Sequence, residues 1–411
     1  MSELLFLVHR IPYPPNKGDK IRSFHLLEHL RKRFTVHLGC FVDDPDDWPH
    51  VDVLRGMCDQ SCFLPLNPTR SKLKSLSALF TGKPLTLPYY FDRRMAEWVE
   101  GILARPGLKT VVMFSSSMAQ YIDGAQVQGR RTLLDFVDVD SDKWSQYAAS
   151  KTWPLNWLYR REGRTLLQFE REMARRFDTS VFVSGHETEL FARLAPESAS
   201  RVIACSNGVD FAYFSPEHTF PSPFSHPGPV LVFTGAMDYW ANVDAVVWFA
   251  RKVFPGLRER YPGLAFVIVG SRPGPEVQGL TEIPGVTVTG TVPDVRPYLA
   301  HCDAAVIPLR IARGIQNKVL EAMAMGKPVV TTRAAFEGID AKPEQDLLLA
   351  DDEAQLIKQC ERLLNGQVDT RRMGDSARNV IVEKYDWEKN LQRLDGWLTG
   401  SPRNSEKVSG T

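Results

Sequence analysis

Short β-branched runs, each closed by a turn residue and separated by helical patterns, recur along almost the whole chain. In the first half they fall at 4–8, 35–42, 110–114, 132–139 and 179–184, with helical stretches over about 20–33 and 91–104. Strand-period runs of this length that alternate with helix-period stretches build βαβ units on a parallel sheet. The rhythm breaks at 206–229, SNGVDFAYFSPEHTFPSPFSHPGP, where prolines, serines and histidines replace any helical period. Such composition reads as a linker. The rhythm restarts at 230–235, with a helix over 243–258 and further runs at 264–270, 286–290, 303–309 and 328–332. Helices are expected again over about 353–365, 370–384 and 387–398. The fold class is therefore α/β, with two Rossmann-like domains at 1–205 and 230–384 facing across a cleft.

Length and composition agree with two cores. A chain of 411 residues exceeds what one hydrophobic core usually serves, and 43% hydrophobic with 24% charged residues supplies a pair. The net charge of +1 argues against a protein held to nucleic acid by a global positive field, so no nucleic-acid partner is expected. Six cysteines are scattered, and only Cys58 and Cys62 lie close together, without the second pair a zinc site needs. Buried or free thiols in a reducing cytoplasm follow. The N-terminal LLFLV is too short for a signal peptide, and no run approaches the roughly 18 apolar residues of a membrane span. A soluble, cytoplasmic chain is expected, with a polar, disordered tail at 399–411.

Ligands of doubly wound sheets bind beyond the carboxyl ends of the strands, so the loops after each run carry the chemistry. The first, HRIPYPPNKGDKIR, offers Lys17, Gly18 and a helix starting near Asp19, with Lys20 and Arg22 adding charge. It could bind an anion at the helix N-terminus, or be an ordinary turn with a solvated basic face. No GxGxxG follows any run, which weighs against a nicotinamide enzyme. The run at 132–139 ends in LDFVDVDSDKW, which puts Asp138 and Asp140 at or past its carboxyl end. Two acids there could ligate a metal, orient a sugar hydroxyl or move a proton, or simply cap the next helix.

Four loops of the second half repeat one arrangement, glycine after strand. They supply Gly235, Asp238 and Asn242 in TGAMDYWANV, Gly270 in VGSRPG, and Val292 in TGTVPDV. The fourth, RGIQNKVLEAMAMGKPVV, supplies Arg313, Gly314, Ile315 and Gln316 ahead of a helix on which Lys318 and Glu321 share a face. A cation beside a helix N-terminus is locally unfavourable and makes sense if an anion sits there. The alternative is a surface ion pair worth roughly a few tenths of a kcal/mol.

With SNGVD before the linker, TGAMDYWANVDAV, GTVPDVRPYLAHCDAAVIPL and GIQNKVLEAMAMGKPVV, the chain resembles the family-four retaining glycosyltransferases of GT-B fold over nearly its whole length. HRIPYPPNKGDKIR, DFVDVDSDKW and NKVLEAMAMGKPVV further resemble the sugar transferases of PEP-CTERM/exosortase exopolysaccharide clusters. The resemblance implies a nucleotide-diphosphate sugar as donor, bound by the second domain, with Glu321 on the ribose. The residues 385–398 would return to the first domain as a C-terminal helix. The earlier acid of the family's motif falls at Arg313, and two cations usual in the first loop of the second domain fall at Ala236 and Ala241. Arg313 and Lys318 then stand as replacements beside the leaving diphosphate, Gly18 and Lys17 as the loop over the donor phosphates, and Asp138 in place of a histidine near the anomeric carbon.

The implied chemistry is glycosyl transfer to an acceptor hydroxyl with retention and no metal or other cofactor. The acceptor would be a glycan or lipid-linked glycan. Residues 69–76 and 151–177 mix cations with Trp, Leu and Tyr, so peripheral contact with the inner membrane surface is one option and a solvated helix the other. Rival readings are a nucleotide-sugar epimerase or hydrolase on the same fold, and a non-catalytic nucleotide-sugar-binding scaffold.

Overall fold

The computed structural model describes residues 1–400 apart from 150, 226 and 313, so the expectations for Arg313 and for the tail from 401 onward lie outside the described residues. The first unit comprises Met1–Ser206 and the described residues from Leu391 onward; the second is Asn207–Asn390. Strands of the first are β1 (Ser2–Val8), β2 (Phe34–Val42), β3 (Gln60–Pro65), β4 (Leu108–Phe114), β5 (Arg131–Val137), β6 (Thr179–Phe182) and β7 (Val202–Ala204). Those of the second are β8 (Val230–Thr234), β9 (Ala265–Val269), β10 (Val286–Val288), β11 (Ala304–Ile307), β12 (Val329–Thr331) and β13 (Leu348–Leu349).

The sheet orders are β3-β2-β1-β4-β5-β6-β7 and β10-β9-β8-β11-β12-β13. Every pairing is parallel: Val8 lies opposite both Cys40 and Phe114, and Thr234 opposite Val269. Such strands are covered on both faces, which is why Leu4 through Val8 and Leu231 through Phe233 are fully buried without polar alternation. The order reverses beside β1 in one unit and beside β8 in the other. Each reversal opens a crevice at the carboxyl ends of the strands, between β1 and β4 and between β8 and β11.

Three strands were not foreseen. β3 is half-buried and reads as polar, while β7 and β13 hold only three and two residues, too few for a period to show. The segment expected as a linker, 206–229, differs most. From Asn207 onward it belongs to the second unit, with Val209 in its core and Phe211, Phe214, Phe220 and Phe224 packed against it. Gly208 sits so close to Trp387 that a Cβ would lie 2.6 Å from the backbone nitrogen of that residue. The segment expected to return to the first unit joins it only from Leu391, near the end of the helix Trp387–Gln392, and in the next helix, Asp395–Thr399, Asp395 meets His29 at 2.7 Å and Arg33 at 2.8 Å.

Candidate functional site

In the second unit the site is built around the reversal beside β8. Gly235 follows β8 directly, and its N–H donates to Val269 O at 3.0 Å, while Met237 N–H donates to Ser271 O at 2.8 Å. The loops after β8 and β9 are thereby laid side by side. Their approach is so close that a Cβ on Gly270 would fall 1.6 Å from Gly235 O, and one on Gly235 would fall 2.9 Å from Asn242 Nδ2 and 3.1 Å from Lys318 Nζ. Only glycine leaves this space open.

Lys318 projects from the helix Asn317–Ala324 into that space. Its ammonium donates to Asn242 Oδ1 and lies 4.6 Å from the centroid of the buried Phe233 ring. Asn242 is itself held, Nδ2 donating to Ala236 O at 2.8 Å. A cation thus reaches the first loop of this unit from another element, a convergence that the chain order does not display. Removal from water pushes the Lys318 ammonium down to about 7, partly opposed by the charge of Glu321. Burial likewise lifts the Glu321 carboxyl to about 7, against the pull of Lys318. Both residues are half-buried.

The helix itself is anchored from behind. Val319, Leu320, Ala322, Met323 and Ala324 are buried, and the Arg378 guanidinium donates to Ala324 O at 2.5 Å at the helix C-terminus, where a cation is favourable. Gly326 ends it in a left-handed conformation, φ 64°. At the other end Gly314 has φ 63°, and Gln316 Nε2 donates to Gly314 O at 3.2 Å. The first-turn N–H groups of such a helix lack intrahelical partners. The side chain of Ile315, expected in the site, packs in the core instead, so only its backbone can face a ligand. Val292 is half-buried against the same core, and Asp238 lies 3.6 Å from Arg272.

The first unit corrects the reading of its basic loop. Lys20 and Arg22 do not offer charge to solvent: Lys20 Nζ meets Asp47 at 2.6 Å, and Arg22 meets Asp135 at 2.8 Å and donates to Cys205 O at 2.9 Å, all buried. In the first turn of the helix that starts at Gly18, the Asp19 carboxylate lies 2.9 Å from Arg10 and 3.4 Å from His9. Gly18 is exposed and Lys17, in extended backbone, precedes the helix.

Asp138 lies just past β5, and its approach is strained. Asp138 N–H donates to Phe136 O at 3.0 Å across Val137, which has φ 71°, a γ-turn that a β-branched residue adopts only under constraint. Buried carboxylates supply that constraint: Asp135 accepts from Val137 N at 3.0 Å, Glu187 from Val139 N at 2.7 Å, and Glu170 from Ser141 Oγ at 2.5 Å. Burial, with Asp140 nearby, lifts the Glu170 carboxyl to about 8. Lys143 Nζ lies 2.7 Å from Asp138 and 3.2 Å from Asp140. The ammonium thus bridges the two acids. Asp138 Oδ1 is buried and has no hydrogen-bond partner among the described residues.

At the reversal beside β1, sequence reasoning weighed Lys17 and Gly18 but not His9, Arg10 or the serines that follow β4. There His9 stacks on Phe114 at 5.9 Å, Arg10 joins Asp19 and Asp43, and Ser115 takes φ 76° before Ser116, whose hydroxyl is buried without a partner among the described residues. The signal was present as HR and SSS immediately after apolar runs. All six cysteines are free, and burial pushes the Cys58 thiol up to about 12 and Cys62 to about 11.

Residues 228–366, inside the second unit, match the family model described as glycosyl transferases group 1. No curated protein matches the chain in sequence. Solved structures resemble it from end to end. The Anabaena protein Alr3699/HepE in complex with UDP and glucose is 16% identical, with 98% of this chain and 100% of that one covered at a TM-score of 0.67. Its complex with UDP-glucose is 15% identical, with 97% and 100% covered at 0.67. Sucrose-phosphate synthase from Thermosynechococcus elongatus is 18% identical, with 95% and 97% covered at 0.69. At these identities the likeness is one of fold. The two parallel, doubly wound sheets of this chain have the GT-B fold, and the second of them carries the segment that matches glycosyl transferases group 1.

Proposed function

We propose that the chain transfers a glycosyl group from a nucleotide-diphosphate sugar to an acceptor hydroxyl with retention of configuration. The observation that carries this reading is the Lys318 ammonium held by Asn242 over Gly235, at the carboxyl end of β8 and beside the start of the helix Asn317–Ala324. As the glycosidic bond breaks, the sugar becomes oxocarbenium-like and the leaving diphosphate gains charge. A fixed cation and first-turn N–H groups stabilise that developing charge more than they stabilise the bound donor. Within the second unit Glu321 takes the ribose hydroxyls and Arg313 assists the phosphates.

The donor reading draws support from the group 1 family match and from HepE, which binds UDP and UDP-glucose. The reaction runs without a metal in this account, because Lys318 carries the charge at the diphosphate. The acceptor is a glycan or lipid-linked glycan on the cytoplasmic side. The place in exopolysaccharide assembly, of the kind served by PEP-CTERM/exosortase clusters, rests on the resemblance of the loop motifs. A thermal-shift series with UDP- and GDP-linked sugars tests donor binding, since a ligand held only by the folded state raises its melting temperature. Shifts with one base that are unchanged by EDTA support the reading; no shift with either base removes it.

A further inference from the structure

We propose that the surface formed by residues 70–83 and 151–160 of the first unit docks on an anionic lipid bilayer. Fourteen large hydrophobic side chains are exposed among the described residues, and six of them, Leu73, Leu76, Phe80, Trp153, Leu155 and Trp157, lie on these two stretches; Phe80 is 92% and Trp153 79% exposed. The stretches are fastened to each other by buried groups. Arg161 Nη2 donates to Ala78 O at 2.6 Å and to Lys83 O at 3.2 Å, while the Glu162 carboxylate accepts from Leu85 N at 2.6 Å and Thr86 N at 3.0 Å. The apolar side chains therefore belong to one piece of surface with a fixed scaffold.

Its charge selects the occupant. Arg70, Lys72, Lys74, Lys83, Lys151 and Arg160 are exposed, and neither stretch contains an acid. A protein partner would have to desolvate ammonium groups interleaved with the apolar side chains, and lysine is depleted in protein interfaces for that reason. A bilayer accommodates both: Trp and Phe sink to the headgroup boundary while lysine stems lie along it with their charges among lipid phosphates. Among the described residues no helix is long and apolar enough to cross a membrane, so the contact is peripheral. The inference deepens the transferase reading by naming where a lipid-linked acceptor would be met, and it rests on that reading for its purpose only.

The test is co-sedimentation of the full chain with vesicles of phosphatidylglycerol and phosphatidylcholine, against vesicles of phosphatidylcholine alone. Binding is expected on the anionic vesicles, weakened in about 0.5 M salt, where surface charges are screened. Each cation near the bilayer contributes roughly fivefold to partitioning, so K72E and K83E should each lower it by at least that factor. The triple variant F80S W153S W157S should lose roughly tenfold or more while keeping its thermal transition and its shift with UDP. Equal binding to both vesicle types, or unchanged binding by the triple variant, overturns the proposal. So does a dimer in solution that the triple variant converts to monomer, which would make a second copy the occupant. Vesicle binding that persists in a chain inert towards every nucleotide sugar would count against the transferase reading and leave the surface standing.

Discussion

Lys318 and Glu321 set the pH behaviour of the second unit. Lys318 releases its proton about pH 7 in the folded chain against an ordinary 10.5, so the unfolded chain holds more protons between those values and stability from this group rises with pH across them. Glu321, raised from 4.5 to about 7, keeps its proton longer when folded, so its contribution falls as pH rises across that window. The pair therefore costs the fold most near pH 7. The double variant K318M E321Q, measured by thermal melting at pH 7, should be more stable by on the order of 1 kcal/mol and flatter in its pH profile. A bound diphosphate should raise the Lys318 value again. Calorimetry of UDP binding in buffers of different ionisation enthalpy should then show proton uptake above about pH 7 that K318A abolishes, with affinity falling as pH rises through that range. The residue types at this site were legible in the sequence, Lys318 and Glu321 included. Their partners were not: Lys318 meets Asn242 across 76 residues and Arg22 meets Asp135 across 113, and no local pattern announces such pairings.

At the scale of elements, glycine spacing decides what the loops after β8 and β9 can hold. Gly270→Ala would drive a methyl into Gly235 O, a backbone atom that has no flexible way out. The variant should lose at least ~2 kcal/mol by urea unfolding. Gly374→Ala should behave alike, since a Cβ there would fall 1.9 Å from Gly326 O, where the helix Thr370–Lys384 packs on the one that carries Lys318. Long strands and helices could be read because their periods span enough residues, and glycines that follow strands marked the loops. The γ-turn at Val137 could not be read, because valine is ordinarily a strand residue and its φ of 71° is imposed by carboxylates brought from distant helices. The proline-rich stretch from Asn207 misled for a different reason. Its composition lacks a period, but its spaced phenylalanines find a core to pack on.

For the whole molecule, each unit has its own buried cluster and its own complete sheet. If the donor sits on the second unit alone, UDP should raise the unfolding temperature of the transition assigned to Asn207–Asn390, with calorimetry of the full chain as the readout. Transfer itself is the central claim, and labelled nucleotide sugar incubated with membranes as the acceptor source tests it most directly. Label is expected in a glycan or lipid-extractable product with retained anomeric configuration, with a loss of roughly 10² to 10³ in kcat/KM for K318A. Label returned as free or isomerised sugar, or donor bound without turnover by the intact chain, would contradict it.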